Sequence, residues 1–479
     1  MVVACFLTMQ VQMCGIFGAV SAKLEPLLAE WVFFGLSHLQ HRGQESAGMA
    51  YSDGEVVRIE KNYGFVNQVF TFDTIKEMVN HKPIIIAGQT WYSTSGGKSK
   101  RNIPPQYLDI NMIGRVALFH NGNIPNVEEK IKDLEKKDVV FNRGSSESAN
   151  DTEYMLRKIV WLIEKEGFEP IEAIKEFMRS TNGAYSCALL FPDKVFIFTD
   201  PWKNRPLFWA ESDGVFFFAS ETCALNDHSE TIRKVDPGQI IELKPGRKPK
   251  ITHGPKKIPM AQCVFERIYF SRPDSQTFGK EDDESFRNRL GQESAEWFPV
   301  QNADFVSYVP ESGAPAAEGF SEKSGKPLRR IYVRNPYLRG RGFINPTLKD
   351  RETYSKWKYH LLRKKVKGKI IVLVDDSIVR AITLKGKVKQ LKRAGAKEVH
   401  IRISAPPIIK PCYYGLDFPT EKELIASSRS EEEIRYFLDA DSLKFLPVDS
   451  LRKVINEGKE DSQNYCQACF TGEYPIPLH

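Results

Sequence analysis

Residues 369–383 read KIIVLVDDSIVRAIT. The apolar run at 370–374 is typical of a strand buried on both faces of a parallel sheet. Asp375 and Asp376 follow it, and a short polar loop then leads into a pattern that predicts a helix at 384–394. One aspartate here would indicate an N-cap after a core strand, whereas two adjacent carboxylates favour a site for ribose hydroxyls or Mg²⁺ beside a phosphate at the helix N-terminus.

Strands and helices alternate on both sides of this stretch. The predicted strands lie at 305–309, 329–333, 369–374 and 398–403, and the predicted helices at 284–297, 352–364, 384–394, 420–427 and 431–438. Such alternation implies a mostly parallel sheet with helices on both faces. We therefore assign an α/β domain to 263–479.

Short β-type runs separated by turn clusters fill the first half of the chain. The runs lie at 14–20, 55–59, 84–87, 116–120, 186–191, 195–198 and 215–219, and two helical patterns lie at 24–39 and 151–166. This pattern predicts an α+β layered domain at 14–243. The Pro- and Lys-rich stretch that follows has no apolar periodicity, so we assign 244–262 to a linker.

Length and composition limit the class of protein. The chain has 479 residues, enough for two or three domains of about 150 residues each. Hydrophobic residues make up 41% and charged residues 27%, which is typical of a globular protein rather than a disordered or membrane protein. The net charge is +7, but no zinc-finger, helix-turn-helix or RNA-binding pattern accompanies it. We expect a cytoplasmic protein that binds neither nucleic acid nor a membrane.

The start of the first domain carries a candidate nucleophile. Residues 1–13 lack the basic start of a secretory signal, and Met13 directly precedes Cys14. We expect the functional chain to begin at Cys14, with 1–13 either a leader or a mis-assigned start. A thiol that attacks an amide needs a base, and the α-amino group of an amino-terminal cysteine, with a pKa of about 8, can serve as one.

Several motifs of the first domain resemble, in order and spacing, the glutaminase domain of N-terminal-nucleophile amidotransferases. They read CGIFG (14–18), HRGQESAG (41–48), HNGN (120–123), DTE (151–153), DP (200–201) with RPL (205–207), and ASE (219–221). The resemblance implies that Cys14 attacks the glutamine side-chain amide, that Asn121 and Gly122 hold the oxyanion, and that Asp151 binds the substrate α-amino group. Asn-Gly by itself is also a common hairpin turn.

One motif departs from that family. The pattern Gly-His-x-Arg-Tyr-Ser-Thr appears as GQTWYST at 88–94, so Trp91 occupies the position of an arginine that binds the glutamine α-carboxylate. An indole offers one N–H donor and no charge. We expect weaker glutamine binding unless Lys98, Lys100 or Arg101 supplies the missing charge.

The stretch at 369–383 closely resembles the phosphoribosylpyrophosphate (PRPP) signature of type I phosphoribosyltransferases, and VPESG at 309–313 matches their pyrophosphate-side loop. The resemblance assigns Mg²⁺ to Ser312, Asp375 and Asp376. It assigns PRPP binding to Asp375, Asp376, Ser377, Arg380 and Thr383. Two departures stand out: Ala381-Ile382 replaces Gly-Thr, and a second loop motif at 334–344 has a proline for an arginine and one extra residue.

Four of the eight cysteines form a separate group. Cys263, Cys412, Cys466 and Cys469 match the positions that hold a [4Fe–4S] cluster in one branch of the amidophosphoribosyltransferases, and four thiolates are what such a cluster needs. The alternatives are a four-cysteine zinc site and unliganded buried thiols.

Taken together, the motifs resemble the iron–sulfur type of the amidophosphoribosyltransferase family. The family's reaction is glutamine hydrolysis with transfer of the ammonia to PRPP, which gives 5-phosphoribosylamine, glutamate and pyrophosphate, the first step of purine synthesis. The resemblance also implies inhibition by purine nucleotides and a homo-oligomer, a dimer or a tetramer. The departures at Trp91 and Ala381-Ile382 leave two alternatives, a non-catalytic or regulatory paralogue and an enzyme that uses free ammonia.

Overall fold

A computed structural model describes residues 14–92, 99–141, 150–337, 358–416, 418 and 420–478. The predicted leader at 1–13, Lys98 and residues 338–344 of the second loop motif lie outside the described residues. No helix of the described part is long and apolar enough to cross a membrane.

The strands of the first half are, in chain order, β1 (Gly15–Ser21), β2 (Ser46–Ser52), β3 (Val57–Tyr63), β4 (Ile85–Trp91), β5 (Gln106–Ile110), β6 (Gly114–Asn123), β7 (Ala184–Phe191), β8 (Lys194–Thr199), β9 (Phe208–Ser212), β10 (Val215–Ala219), β11 (Ile232–Lys234), β12 (Gln239–Leu243) and β13 (Lys250–His253). They form two antiparallel sheets, a seven-stranded one in the order β11-β9-β10-β1-β4-β2-β3 and a six-stranded one in the order β13-β12-β8-β7-β6-β5.

Helices cover the outer faces of both sheets. They are α1 (Leu28–His38), α2 (Val66–Val69), α3 (Phe72–Asn80), α4 (Val127–Glu135), α5 (Asp151–Glu164) and α6 (Pro170–Ser180). Side chains of β1 show how the layers pack: Ile16 and Val20 point between the sheets, while Phe17 and Ala19 pack against α1. Because alternate side chains of a strand point to opposite faces, a strand buried on both faces is apolar throughout. The four layers are those of the predicted N-terminal-nucleophile domain.

The first domain extends further along the chain than the sequence indicated. Strand β13, within the stretch assigned to the linker, pairs antiparallel with β12, as in Ile241 opposite Ile251. It is the edge strand of the six-stranded sheet, and its residues are largely exposed. An edge strand needs no apolar face, which explains why the periodicity gave no signal and why this part of the linker assignment was wrong.

The second half contains β14 (Gln262–Cys263), β15 (Phe305–Tyr308), β16 (Tyr332–Arg334), β17 (Tyr359–Leu361), β18 (Ile370–Asp375), β19 (Glu398–Ile403), β20 (Ser442–Phe445) and β21 (Tyr465–Cys466). Its helices are α7 (Asp283–Trp297), α8 (Ala314–Ser324), α9 (Arg363–Val366), α10 (Ile382–Arg393), α11 (Ile425–Ser428), α12 (Glu431–Leu438), α13 (Val448–Glu457) and α14 (Ala468–Thr471).

The core of this half is a parallel sheet in the order β15-β18-β19-β20. Helices α7 and α8 pack on one face through residues such as Phe320, and α10 and α12 pack on the other through residues such as Val388. This arrangement confirms the predicted α/β fold and places Asp375 at the carboxyl end of a central strand.

The structure differs from two local predictions in this half. The strand expected at 329–333 is β16, which pairs antiparallel with β17 and lies outside the parallel sheet. A helix was expected at 352–364, but among the described residues of this stretch Tyr359–Leu361 form the strand β17. Here pairing between distant segments decided the structure, which local sequence patterns do not report.

Candidate active sites

Cys14 directly precedes β1, at the middle of the seven-stranded sheet. Its side chain is buried against Trp91 and Ile103. Burial raises the pKa of the thiol to about 11, although hydrogen bonds with the Tyr92 main chain and the Gln89 side chain oppose the shift. The thiol is therefore protonated at neutral pH, and it needs a base to become a nucleophile.

Asn121 and Gly122 occupy the end of β6 and pair with β7, so the hairpin-turn alternative for this Asn-Gly is wrong. Asn121 is fully buried, and its amide has no hydrogen-bond partner within the described part of the chain. Gly122 has φ +148°, and a Cβ there would lie 1.9 Å from the main-chain oxygen of Ala184. The pair thus presents an unused amide donor on a backbone that only glycine can adopt, as an oxyanion site requires.

Gln89 joins the nucleophile to this oxyanion candidate. Its side chain donates to the main-chain oxygen of His120 at 2.7 Å and accepts from the His120 N–H at 3.0 Å. The same side chain forms a hydrogen bond with the Cys14 thiol. The Gln89 side chain therefore connects β4 to β6 at His120, the residue before Asn121. The sequence reasoning overlooked it, although it lies in the altered motif at 88–94.

Asp151 begins α5 and is buried. Its carboxylate accepts from the main-chain N–H of Thr152 at 2.8 Å and of Ile124 at 3.3 Å. The same carboxylate is close enough to Cys14 to contribute to the raised pKa of the thiol. The structure thus brings together the predicted nucleophile, oxyanion pair and ammonium-binding carboxylate.

Trp91 lies at the end of β4, where it packs on Cys14. Lys100 and Arg101, two candidates for the missing positive charge, are exposed in the turn at Lys100–Asn102. Their role as substitutes remains a prediction. The surroundings of Cys14 that the structure describes on this side are an indole and an aliphatic side chain.

The phosphate-site candidates meet at the carboxyl end of β18. Asp376 accepts hydrogen bonds from the hydroxyls of Ser377, at 2.5 Å, and Ser312. Burial raises the pKa of both aspartates, and for Asp375 the neighbouring Asp376 carboxylate adds to the shift. Two buried, adjacent carboxylates repel each other, and a bound cation would relieve this repulsion. The predicted magnesium ligands Ser312, Asp375 and Asp376 therefore form one cluster.

The remaining predicted PRPP residues lie around the start of α10. Arg380 pairs with Glu423 at 2.6 Å, and Thr383 is exposed in the first turn of the helix. Ala381 precedes the helix with φ +62°, in the left-handed region that favours glycine. The departure from Gly at this position therefore adds both a methyl group and backbone strain.

Lys387 is a further residue of this site that the sequence reasoning did not identify. It lies on α10 with 3% of its surface exposed, and its Nζ lies 4.4 Å from the centre of the Tyr332 ring and 5.0 Å from that of Tyr359. Burial lowers its pKa to about 8, while Asp375 opposes that shift. The buried amine of Lys387 thus lies close enough to Asp375 to interact with its charge.

Comparison with known proteins places the chain in one family. Residues 106–227 match a family model described as a glutamine amidotransferase domain. The chain is 40% identical over 482 residues to an amidophosphoribosyltransferase of Methanocaldococcus jannaschii, over 98% of each chain. An amidophosphoribosyltransferase of Bacillus subtilis is 37% identical, over 97% of this chain and 94% of its own length.

The chain belongs to the amidophosphoribosyltransferase family.

Solved structures agree with this assignment to the amidophosphoribosyltransferases. Glutamine PRPP amidotransferase from B. subtilis, complexed with ADP and GMP, matches with a TM-score of 0.86 and 36% identity, over 97% of this chain and 98% of that one. A structure described as the allosteric regulatory enzyme of purine biosynthesis matches with a TM-score of 0.87 and 36% identity, over 97% of each chain. The family resemblance and fold class inferred from the sequence are confirmed.

The four cysteines matched to the cluster-binding amidophosphoribosyltransferases converge in the second domain. Cys263 and Cys466 are register partners in the parallel pair β14–β21, and Cys469 lies in α14. Burial raises the pKa of Cys263 to about 11, and it also raises that of Cys469, to which the other three thiols contribute. Among the described residues, no group of three or more His, Cys, Asp or Glu side chains has an arrangement that could hold a metal ion.

A buried ion network crosses the boundary between the two amidophosphoribosyltransferase domains. Arg42 and Glu221 of the first domain meet Glu266 of the second, and Glu266 also accepts from Arg205 at 3.2 Å. All four side chains are fully buried. Although burial opposes it, His41 and Arg42 lower the pKa of Glu221. The sequence reasoning missed this network because its charges lie in separate motifs.

The segment after Cys412 makes a second contact between the domains. The side-chain amide of Asn123 donates to the main-chain oxygen of Tyr413 at 2.9 Å, and Arg205 donates to that of Tyr414 at 2.5 Å. Gly415 then lies directly against Gly122. The second domain therefore supports the strand end that carries the oxyanion candidates.

Proposed function

We propose that the chain hydrolyses glutamine at Cys14 and transfers the ammonia to PRPP bound beside Asp375 and Asp376, which forms 5-phosphoribosylamine, glutamate and pyrophosphate. The main support is the side-chain amide of Asn121, which is buried and has no hydrogen-bond partner among the residues that the structure describes. The residue before it, His120, is linked through the Gln89 side chain to the Cys14 thiol. Leaving such a donor unsatisfied costs about 1–3 kcal/mol, which a transition-state oxyanion would recover.

In the first half-reaction, the Cys14 sulfur attacks the glutamine side-chain carbonyl. The thiol proton passes to the base, which is the α-amino group when the chain begins at Cys14. Asn121 and the Gly122 N–H stabilise the oxyanion, while Asp151 binds the substrate ammonium. Collapse of the intermediate releases ammonia and leaves a thioester, and water then hydrolyses the thioester to glutamate and the free thiol.

In the second half-reaction, ammonia attacks the anomeric carbon of PRPP and pyrophosphate leaves. We assign Asp375 and Asp376 to the ribose hydroxyls, and Ser377, Arg380 and Thr383 to the phosphate at the start of α10. Mg²⁺ held by Ser312 and the two aspartates would neutralise the leaving pyrophosphate. The mutual repulsion of the buried acidic pair supports this cation site.

We propose that Cys263, Cys412, Cys466 and Cys469 hold a [4Fe–4S] cluster with a structural role. A four-cysteine zinc site is the alternative. A cluster would be held by four thiolates, which the neighbouring Cys263, Cys412, Cys466 and Cys469 would supply. Bound there, it would join the start of the second domain to its tail.

A second candidate function is supported by one observation. Trp91 stands where a charged partner for the substrate carboxylate is expected, so an enzyme that uses free ammonia is the second candidate. Regulation by purine nucleotides is a further proposal, supported by the ADP and GMP bound to the B. subtilis relative. The cytoplasmic location, the dimer or tetramer and the start at Cys14 remain predictions.

The test is to mix the purified chain with PRPP, Mg²⁺ and either glutamine or an ammonium salt, and to follow pyrophosphate. Release with both nitrogen donors supports the main proposal. Release with ammonium alone supports the second candidate, and no release with either supports a non-catalytic protein. Cys14→Ala is the matched control, because it should abolish the glutamine-dependent release and keep the ammonium-dependent release.

A further inference from the structure

Glu266 binds Arg42 with both carboxylate oxygens. Oε1 accepts from Nη2 at 2.9 Å and Oε2 accepts from Nη1 at 3.1 Å. Such a bidentate pair fixes the plane of the guanidinium group. The third nitrogen of Arg42, Nε, donates to the main-chain oxygen of Cys14 at 2.8 Å. A carboxylate of the second domain therefore sets the direction of a hydrogen bond to the nucleophile residue.

The first domain alone would hold Arg42 less firmly. Its own carboxylate, Glu221, binds Nη1 of Arg42 through Oε1, and His41 shares the same oxygen. The boundary network pairs two arginines with two glutamates, none of them exposed. Removal of the Glu266 charge would leave Arg42 with Glu221, which it contacts through one nitrogen. Arg42 would then have no bidentate partner to fix its orientation.

We propose that Glu266 is a positioning residue for glutamine hydrolysis, and that it acts on Cys14 through Arg42. The inference rests on the proposed function of Cys14. It means that the glutaminase centre of the first domain is complete only when the second domain is docked against it. The alternative is a purely structural role, in which Glu266 only holds the domains together. In that case the rates of both half-reactions would fall equally.

The test compares Glu266→Gln with a matched control, Asp283→Asn, in the full chain. Asp283 is also a fully buried second-domain carboxylate, and it pairs with Arg267 at 3.1 Å instead of with Arg42. Three quantities are measured: glutamine hydrolysis with its kcat and KM, ammonium-dependent pyrophosphate release, and the rate of iodoacetamide alkylation at Cys14 by peptide mass spectrometry. The third quantity needs no turnover.

Glu266→Gln should lower the kcat for glutamine hydrolysis at least tenfold, with KM and the ammonium-dependent rate within threefold of the unaltered chain. The rate of Cys14 alkylation should change at least threefold, and Asp283→Asn should leave it unchanged. An unchanged alkylation rate in Glu266→Gln would overturn the inference, as would equal losses in both variants. If the unaltered chain fails to hydrolyse glutamine, the proposed function fails, and the alkylation rates still decide the role of Glu266.

Discussion

Gly415 of the second domain lies against Gly122 of the first, so closely that a Cβ on Gly415 would be 3.0 Å from the carbonyl carbon of Gly122. The oxyanion candidate of one domain is thus backed by the main chain of the other. Two residues of the second domain that contact the glutaminase centre, Glu266 and Gly415, each come three residues after a proposed cluster cysteine. The residues that dock the second domain against the first are therefore near neighbours in sequence of the proposed cluster ligands.

Gly415→Ala should impair glutamine hydrolysis selectively. The added methyl group meets Gly122 at a residue with φ +111°, so the strand end that carries the oxyanion donors must shift. We expect roughly a tenfold loss of glutamine-dependent turnover, corresponding to about 1.4 kcal/mol. Ammonium-dependent turnover should remain within threefold. The matched control is Gly246→Ala, because Gly246 is exposed with φ +66° and a Cβ there would meet no described atom within 4 Å beyond its chain neighbours. An equal loss in Gly246→Ala would contradict the explanation.

Trp91→Arg should lower the KM for glutamine. A guanidinium at this position would add a charge-assisted contact to the substrate carboxylate, worth about 1.5–3 kcal/mol, or roughly a 10- to 100-fold change. The ammonium-dependent rate should not change. Steady-state kinetics with both nitrogen donors measure the effect, and Trp91→Gln serves as the uncharged control. A KM that stays the same in Trp91→Arg would show that the carboxylate is bound elsewhere.

The alkylation of Cys14 should depend on pH in a way that reports the true start of the chain. In a chain that begins at Met1, burial raises the thiol pKa to about 11, so alkylation should still be rising above pH 9. In a chain that begins at Cys14, the α-amino group titrates at about pH 8 and should move the rise to that range. Mass spectrometry of the Cys14 peptide gives both profiles, and identical profiles would remove the amine from the mechanism.

Lys387→Met should stabilise the second domain at neutral pH. Burial lowers the pKa of Lys387 from 10.5 to about 8, so the folded state disfavours the charged amine. The resulting cost is present in full below pH 8 and disappears as the pH rises past 10.5. We expect a gain of about 1–3 kcal/mol at pH 7 and almost none near pH 10.5.

Denaturant unfolding at the two pH values measures this gain. Lys389→Met on the same helix is the control, because Lys389 is exposed and its removal should change stability by less than about 0.5 kcal/mol. A gain for Lys387→Met that persists unchanged at high pH would mean that packing, and not the buried charge, decides the outcome.

The sequence predicted the two folds and the main site residues because their signals are local. The run 370–374 with its acidic pair, and the cysteine before β1, each carry strand, turn and chemistry within a few residues. The edge strand β13 and the strand β17 gave no such signal, since pairing with distant segments creates them. The bond between Arg42 and Glu266 joins positions 224 residues apart, and no spacing rule connects two common charged residues over that distance.

The pairing of β14 with β21 has a consequence for synthesis. Cys263 emerges from the ribosome about 200 residues before Cys466. At about 5–20 residues per second, roughly 10–40 s pass before its strand partner exists. The first domain, complete at β13, can fold during this interval, but Glu266 and Gly415 are not yet docked against it. We therefore expect Cys14 to be inactive in glutamine hydrolysis while the chain is being synthesised. Ammonia is then not released before the PRPP site of the second domain has formed.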